Sequence, residues 1–446
     1  MTDTSNRYLA GNFAPVHEEV TAYDLPVTGA APPELRGRFL RIGPNPLPNE
    51  DGDGYHWFTG PGMVHGVRLR DGRAEWYRRR WVRSDRVAEH FGWPETPGPR
   101  YGPGDNTANT NAIGFAGRTF AIVEAGGLPV ELTDDLETVR RSDFDGTLAG
   151  PFTAHPKRDP LTGELHAMTY SWEWDHVRYV VVGTDGRVRR TVDVPVPGKP
   201  MVHDCAITQR FALLLDLPVT LDPELALSGA RLPYAWNPAH PARVGLLPRE
   251  GSADDVRWVE VEPCYVFHPL NAHDLPDGRV VVDVVRHPRM FAEDLLGPNE
   301  GSPVLVRWTL DPTTGHAREE RLDDRAIEFP RHDERLVGRR HRFGYAATFD
   351  ALQHGPALKY DLERGATEVH DYGRDRVTLE PVFVPRTADA AEDDGWVLSY
   401  FYDGATGRSD VVILHAQDFA GEPVAAIHLP DRVPFGFHGN WVADAG

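Results

Sequence analysis

Residues 265–274 read Tyr-Val-Phe-His-Pro-Leu-Asn-Ala-His-Asp. Val266 and Phe267 read as a buried strand, His268 follows, and Pro269 and Asn271 read as the turn that ends it. A strand that delivers an imidazole at its end and then stops is a good way to hold a metal ligand still. Three other histidines stand in similar company: His155 in Pro-Phe-Thr-Ala-His-Pro, His203 in Met-Val-His-Asp-Cys-Ala-Ile-Thr, and His438 in Pro-Phe-Gly-Phe-His-Gly-Asn-Trp. Each follows a short apolar or aromatic run, so all four are read at strand ends. Their separations of 48, 65 and 170 residues are wrong for ligands on one helix or one hairpin. They suit inner strands of different sheets that converge on a common axis. The chain has 20 histidines, and residue type alone does not separate these four from His166, His273 or His332.

Working outward, strand-like runs recur at 74–82, 118–124, 165–171, 177–182, 211–216, 278–285, 303–309, 381–385, 396–402, 410–415 and 424–428. Many are joined by turn pairs such as Asp71-Gly72, Asp185-Gly186, Asp277-Gly278 and Asp403-Gly404. Residues 8–16 make an N-terminal arm, and 37–46 a strand closed by Gly-Pro-Asn-Pro. Residues 55–69 read as a hairpin, with His56 and His65 as structural residues inside its strands. Helical periodicity is scarce, with short candidates at 85–91 and 222–228. This pattern predicts an all-β fold, a propeller or large barrel. Seven blades would average ~64 residues, above the ~40–50 of repeat propellers. The surplus falls in insertions at 83–108, 217–256 and 286–302, and the chain is read as one domain, 1–446.

Composition narrows the function. There are 47 basic and 67 acidic residues, a formal charge of −20, which argues against nucleic acid. The two cysteines, Cys205 and Cys264, cannot make a disulfide framework and read as core filler. No run reaches the ~18–20 apolar residues of a spanning helix, and no signal region is legible. A cytoplasmic location is expected.

Three glutamates lie in apolar settings: Glu124 in Ala-Ile-Val-Glu-Ala-Gly, Glu328 in Ala-Ile-Glu-Phe-Pro, and Glu380 in Thr-Leu-Glu-Pro-Val-Phe. A carboxylate buried in such company is costly unless paired. The free N–H of a metal-bound imidazole is a suitable partner, and the bond fixes the ring's tautomer and direction. The His332-x-Glu334 pair has a spacing common by chance in so acidic a chain and is set aside.

At this point the residues resemble a known family, the carotenoid cleavage oxygenases, whose members include apocarotenoid- and stilbene-cleaving enzymes. The similarity runs almost end to end, through YLAGNFAPV, FLRIGPNP, YHWFTGPGMVHGVRL, NTANTN, FTAHPK, MVHDCAIT, FHPLNAHD, EFPR, EPVFVPR and VPFGFHGNW. The resemblance implies a seven-bladed β-propeller capped by a dome of loops and short helices. It implies a ferrous iron on the axis, held by His155, His203, His268 and His438. By the same analogy Glu124 pairs with His203, Glu328 with His268 and Glu380 with His438, and His155 has no carboxylate. Phe58, Thr110 and Val123 fall at substrate-lining positions. Stilbene-cleaving members carry Lys where this chain has Val123, and an apolar side chain cannot offer that charge-assisted hydrogen bond to a phenol.

The resemblance implies cleavage of a conjugated C=C bond in a carotenoid or apocarotenoid, with O2 as co-substrate and two carbonyl products. Alternatives are cleavage of a stilbene-type alkene, or a propeller that only binds. An oily polyene partner implies visits to a membrane surface, at the inner face, and residues 211–232 are read as the apolar entrance patch.

Overall fold

The computed structural model of the protein describes residues 6–444, except 49, 51, 53, 103, 351 and 352. The rest of the expected 1–446 domain lies outside the described residues. The fold is all-β and propeller-like, with few helices. Antiparallel meanders follow one another along the chain. Residues 111–141 and 157–195 each form a four-stranded sheet in sequence order, as do residues 327–370. An eight-stranded sheet spans 205–321, and a six-stranded sheet gathers most of 376–428.

Short turns make these meanders. Asp71 and Gly72 both have positive φ, 51° and 73°, and Arg70 pairs directly with Arg73 across them. That is the two-residue hairpin geometry the Asp-Gly pair favours. The chain's ends are sewn together in one five-stranded sheet: Gly439–Ala443 pairs with Gly37–Pro44, with Arg41 opposite Gly439. The core lies between neighbouring sheets. Phe120, Phe144 and Phe152 meet edge to face at 5.7 and 5.1 Å between two of them. Each such ring contributes roughly 1.5–3 kcal/mol on burial.

Both expected helices form. Asp85–Phe91 is capped by the Ser84 hydroxyl and stopped by left-handed Gly92, and Pro223–Leu227 is capped by the Asp222 carboxylate.

Three local expectations fail. Pro269 and Asn271 do not end the central strand, which runs Tyr265–Asp274 with register shifts on both sides of Pro269. The residues that make turns also make bulges, and an edge strand tolerates the missing proline N–H. Residues 55–69 are not a hairpin. Trp57–Thr59 is a single 3-10 turn, capped by the His56 ring, and only Gly62–Arg70 is a strand. His56 is therefore a cap and not a strand residue. Finally, Phe211–Asp216 is a strand whose three leucines, Leu213–Leu215, are fully buried, so this part of the expected 211–232 patch belongs to the core.

Candidate metal centre

Four different segments bring the four histidines together. His268 sits within the Tyr265–Asp274 strand, at the irregularity beside Pro269. The other three precede inner strands instead of ending them, a further correction to the strand-end reading: His155 before Lys157–Arg158, His203 before Cys205–Ile207, and His438 before Gly439–Ala443. The His438 segment is threaded tightly. The Phe437 N–H donates to the Ile42 carbonyl at 3.0 Å, and the Ile42 N–H donates to the His438 carbonyl at 3.0 Å. A Cβ on Gly43 would stand 2.6 Å from Gly436 Cα, so only glycines allow this crossing.

All four rings are buried, and one ligand atom of each lies within 4.8 Å of the others. The Nε2 atoms form a chain: His155 to His203 at 3.1 Å, His203 to His268 at 3.3 Å, and His268 to His438 at 3.1 Å. Behind them stand the three glutamates, in the expected pairs. Glu328 faces His268 Nδ1 at 2.6 Å, Glu380 faces His438 Nδ1 at 2.9 Å, and Glu124 bonds His203 Nδ1. Only Glu328 lies in a strand; Glu124 follows one and Glu380 sits between two, so the reading of all three as strand residues holds for one.

Each carboxylate has further partners that the sequence did not announce. Glu124 also accepts from the Tyr170 hydroxyl. Glu328 accepts from His287 at 2.8 Å and from the Phe329 N–H at 2.6 Å. Glu380 accepts from Arg331 at 3.1 Å and from the Gly439 N–H at 2.7 Å. Burial would raise the pKa of both Glu328 and Glu380. The two histidines around Glu328, and Arg331 with His438 around Glu380, outweigh it and hold both acids well below the usual carboxylate range. Phe329, stacked on His268 at 5.3 Å, has φ +54°, a left-handed conformation rare for an aromatic residue. Local strain of this kind gathers at functional sites.

His155 is different. Its Nδ1 lies 3.8 Å from Asp204, too far for a hydrogen bond, and Asp204 is held by Lys157 at 2.8 Å. Among the described residues no glutamate bonds His155, but a buried carboxylate, Asp204, stands close by.

The donor set fits a cation. An ionised carboxylate only accepts, so the three glutamate-backed rings carry hydrogen on Nδ1. Burial pushes His438 down to about 4, and burial with the other imidazoles pushes His155 well below its ordinary value. His268 goes the other way: burial would lower it, but Glu328 outweighs burial. Even a protonated His268 has one Nε2 hydrogen for two facing lone pairs. A metal ion among the four nitrogens satisfies all of them at once, and neutral imidazole is a common metal ligand.

Three of these rings, His203, His268 and His438, form part of the wall of a cavity of about 590 Å³. Phe58, Thr110 and Val123 are also on that wall, together with Phe267, Phe329 and Phe437. Phe58 meets Phe267 and Phe437 edge to face at 5.9 and 5.6 Å. Leu232 lines the cavity too, so the far end of the 211–232 segment reaches the cavity wall.

The retinal pigment epithelial membrane protein family matches residues 13–443 of the chain. A carotenoid cleavage oxygenase of Mycobacterium tuberculosis is 46% identical, over 98% of each chain. This chain belongs to the carotenoid cleavage oxygenase family. Another family member, a carotenoid 9,10(9',10')-cleavage dioxygenase 1 of Arabidopsis thaliana, is 33% identical over 98% of this chain and 90% of its own. Among solved structures of the family, a Pseudomonas brassicacearum lignostilbene dioxygenase superposes with a TM-score of 0.91 at 30% identity, covering 100% of both chains. A cobalt-substituted Synechocystis ACO superposes with a TM-score of 0.86 at 27% identity, covering 96% of this chain and 97% of its own.

Proposed function

We propose that this protein is an Fe(II)- and O2-dependent dioxygenase that cleaves a conjugated C=C bond in a carotenoid or apocarotenoid, giving two aldehyde or ketone products. The observation that carries this reading is the convergence of four imidazole Nε2 atoms, three of them on rings that line a large aromatic cavity. In this proposal His155, His203, His268 and His438 are the iron ligands, and Glu124, Glu328 and Glu380 orient three of them. Bound iron(II) would supply the centre at which dioxygen is activated.

The chain's own residues do the remaining work. The glutamates keep the Nδ1 protons in place, so that each Nε2 presents a lone pair and no proton is taken up or lost there. Phe58, Phe267, Phe329 and Phe437 exclude water and give a polyene flat surfaces to lie against. Selectivity follows from which bond that wall holds beside the histidines. No general acid or base is required by this reading.

The same proposal takes the fold as a seven-bladed propeller in one domain, with loops and short helices as its cap. In its support, the eight-stranded sheet is joined at its middle by one parallel pairing, Glu260 with His316. It divides there into two four-stranded blades. No helix among the described residues is long and apolar enough to cross a membrane. Work in the cytoplasm with contact at the inner membrane face belongs to the proposal. Trp172, on the cavity wall and 55% exposed, and Leu227, 89% exposed, are the residues for that contact.

The test is expression in a host that accumulates coloured carotenoids. Bleaching with carbonyl products is expected, and its loss in His268→Ala. Bleaching that survives His268→Ala, or that yields no carbonyl fragments, overturns the proposal. The likeness to the lignostilbene dioxygenase favours a second reading, cleavage of a stilbene-type alkene, which the carbonyl products of a paired substrate assay separate from the first.

A further inference from the structure

Arg41 lies in the Gly37–Pro44 strand, opposite His65 on one side and Gly439 on the other. Its side chain is buried, with the residue 2% exposed, and neither Nε nor Nη2 has a hydrogen-bond partner. The acid that acts on it most is Glu380, which is already committed to Arg331, His438 and the Gly439 N–H. Burial pushes Arg41 down to about 10, which still leaves it cationic at neutral pH. A buried guanidinium with two nitrogens left unpartnered is costly for a core to hold.

Beside it is a small cavity of about 10 Å³, lined by Arg41, His65, Asn45 and the neighbouring chain at Gly43 and Pro434. That is about the least room that takes a single occupant of a water's size. The polar side chains on its wall are donors or are occupied. Asn45 is taken up on both sides by the backbone of Val16. His65 Nδ1 lies 2.8 Å from the Tyr77 hydroxyl. Positive charge is in excess around the ring: Arg41, Arg79 and Arg432 all act on His65. Asp431 pairs with Arg79 at 2.8 Å. Donors, surplus positive charge and the room of one atom describe an anion site.

We propose that this cavity binds a monatomic anion, chloride in a cell, between Arg41 and His65. The bound anion neutralises Arg41 at the seam where Gly439–Ala443 closes against Gly37–Pro44. It thereby ties the C-terminal strand, which begins next to His438, to the N-terminal part of the chain. This site is independent of the proposed reaction.

Bromide is the probe. A crystal of the wild-type protein grown in sodium bromide is expected to show an anomalous peak between Arg41 and His65. The thermal midpoint is expected to rise by about 2 °C as chloride goes from ~10 to ~300 mM, beyond the rise in gluconate of equal ionic strength, because a ligand that binds only the folded state stabilises it by mass action. Arg41→Gln should abolish that difference. If Arg41→Gln does not fold, His65→Phe, which replaces the imidazole on the cavity wall by an apolar ring, should reduce it. A cavity without a bromide peak, or a peak without any halide-specific shift in the midpoint, means a water or an adventitious ion only, and overturns the proposal.

Discussion

Two kinds of arm hold this centre. His203, His268 and His438 each lean on a glutamate within hydrogen-bond reach of Nδ1. His155 leans on nothing so direct: Asp204 is 3.8 Å away and already bound to Lys157. The difference lies in where charge is balanced. On the three arms the carboxylate faces the imidazole, so it fixes the ring and offsets the charge of an ion at Nε2. On the fourth, the aspartate and lysine balance each other, and the ring is held by packing against its neighbours, with His438 at 4.5 Å and His203 at 4.6 Å between ring centroids. Three rigid arms and one passive arm is the claim that variants can break.

The largest effect is expected on the His438 arm. Glu380→Gln removes a charge that holds both the His438 ring and the buried Arg331. Metal affinity should fall about 10–100-fold. Stability should also fall, by roughly 1–3 kcal/mol, because Arg331 loses its buried acid and keeps only the exposed Glu334. Metal content after dialysis against a graded chelator, together with an unfolding curve, measures both. If Glu380→Gln keeps iron as tightly as wild type, the glutamates are not what distinguishes the three arms.

Most of this arrangement was legible in the sequence, though not by residue chemistry alone. The four histidines stood out from the other sixteen only when whole motifs were matched to a family, and the three glutamate pairings came the same way. What stayed hidden were the partners of the partners: Tyr170, His287, Arg331 and the Lys157–Asp204 pair. They lie 46, 41, 49 and 47 residues from the group they bond. Each is an ordinary residue type with no local pattern to mark it. Lys157 and Asp204 were even inside quoted motifs, but nothing in those motifs says that two inner strands bring them together. The local errors have a different cause. Alternating aromatics in 55–69 read as a strand although the turn is built by the His56 cap, and Pro269 read as a stop because turn and bulge use the same residues.

A smaller and different effect is expected on the fourth arm. Asp204→Asn should leave metal content close to wild type, since the aspartate is not bonded to the ring. It should cost about 1–3 kcal/mol of stability, because Lys157, about a fifth exposed, loses its buried acid. A Lys157→Met, Asp204→Leu double variant should recover part of that loss, as replacing both partners of a buried pair commonly does. If Asp204→Asn instead strips the metal as Glu380→Gln does, Asp204 supports His155 across the longer gap and the fourth arm is no exception.

The smallest effect sharpens the comparison within the three arms. Glu124 is less buried than its two counterparts, with its side chain 12% exposed against 5% and 2%. It also has no arginine and no backbone N–H among the hydrogen-bond partners described above; its second donor is the Tyr170 hydroxyl. Tyr170→Phe should therefore loosen the His203 arm by the value of one hydrogen bond to a charged group, about 1.5 kcal/mol. That corresponds to a drop in metal affinity of roughly tenfold at most. Tyr170 also lines the cavity, so a change in KM alone would report lost wall contact, whereas a matched fall in metal affinity and kcat would report a loosened ring. Equal effects from Tyr170→Phe and Glu380→Gln would mean that the arms do not differ by how many donors hold each glutamate. The number of donors on the carboxylate would then have to give way to its distance from the ring as the property that sets each arm's stiffness.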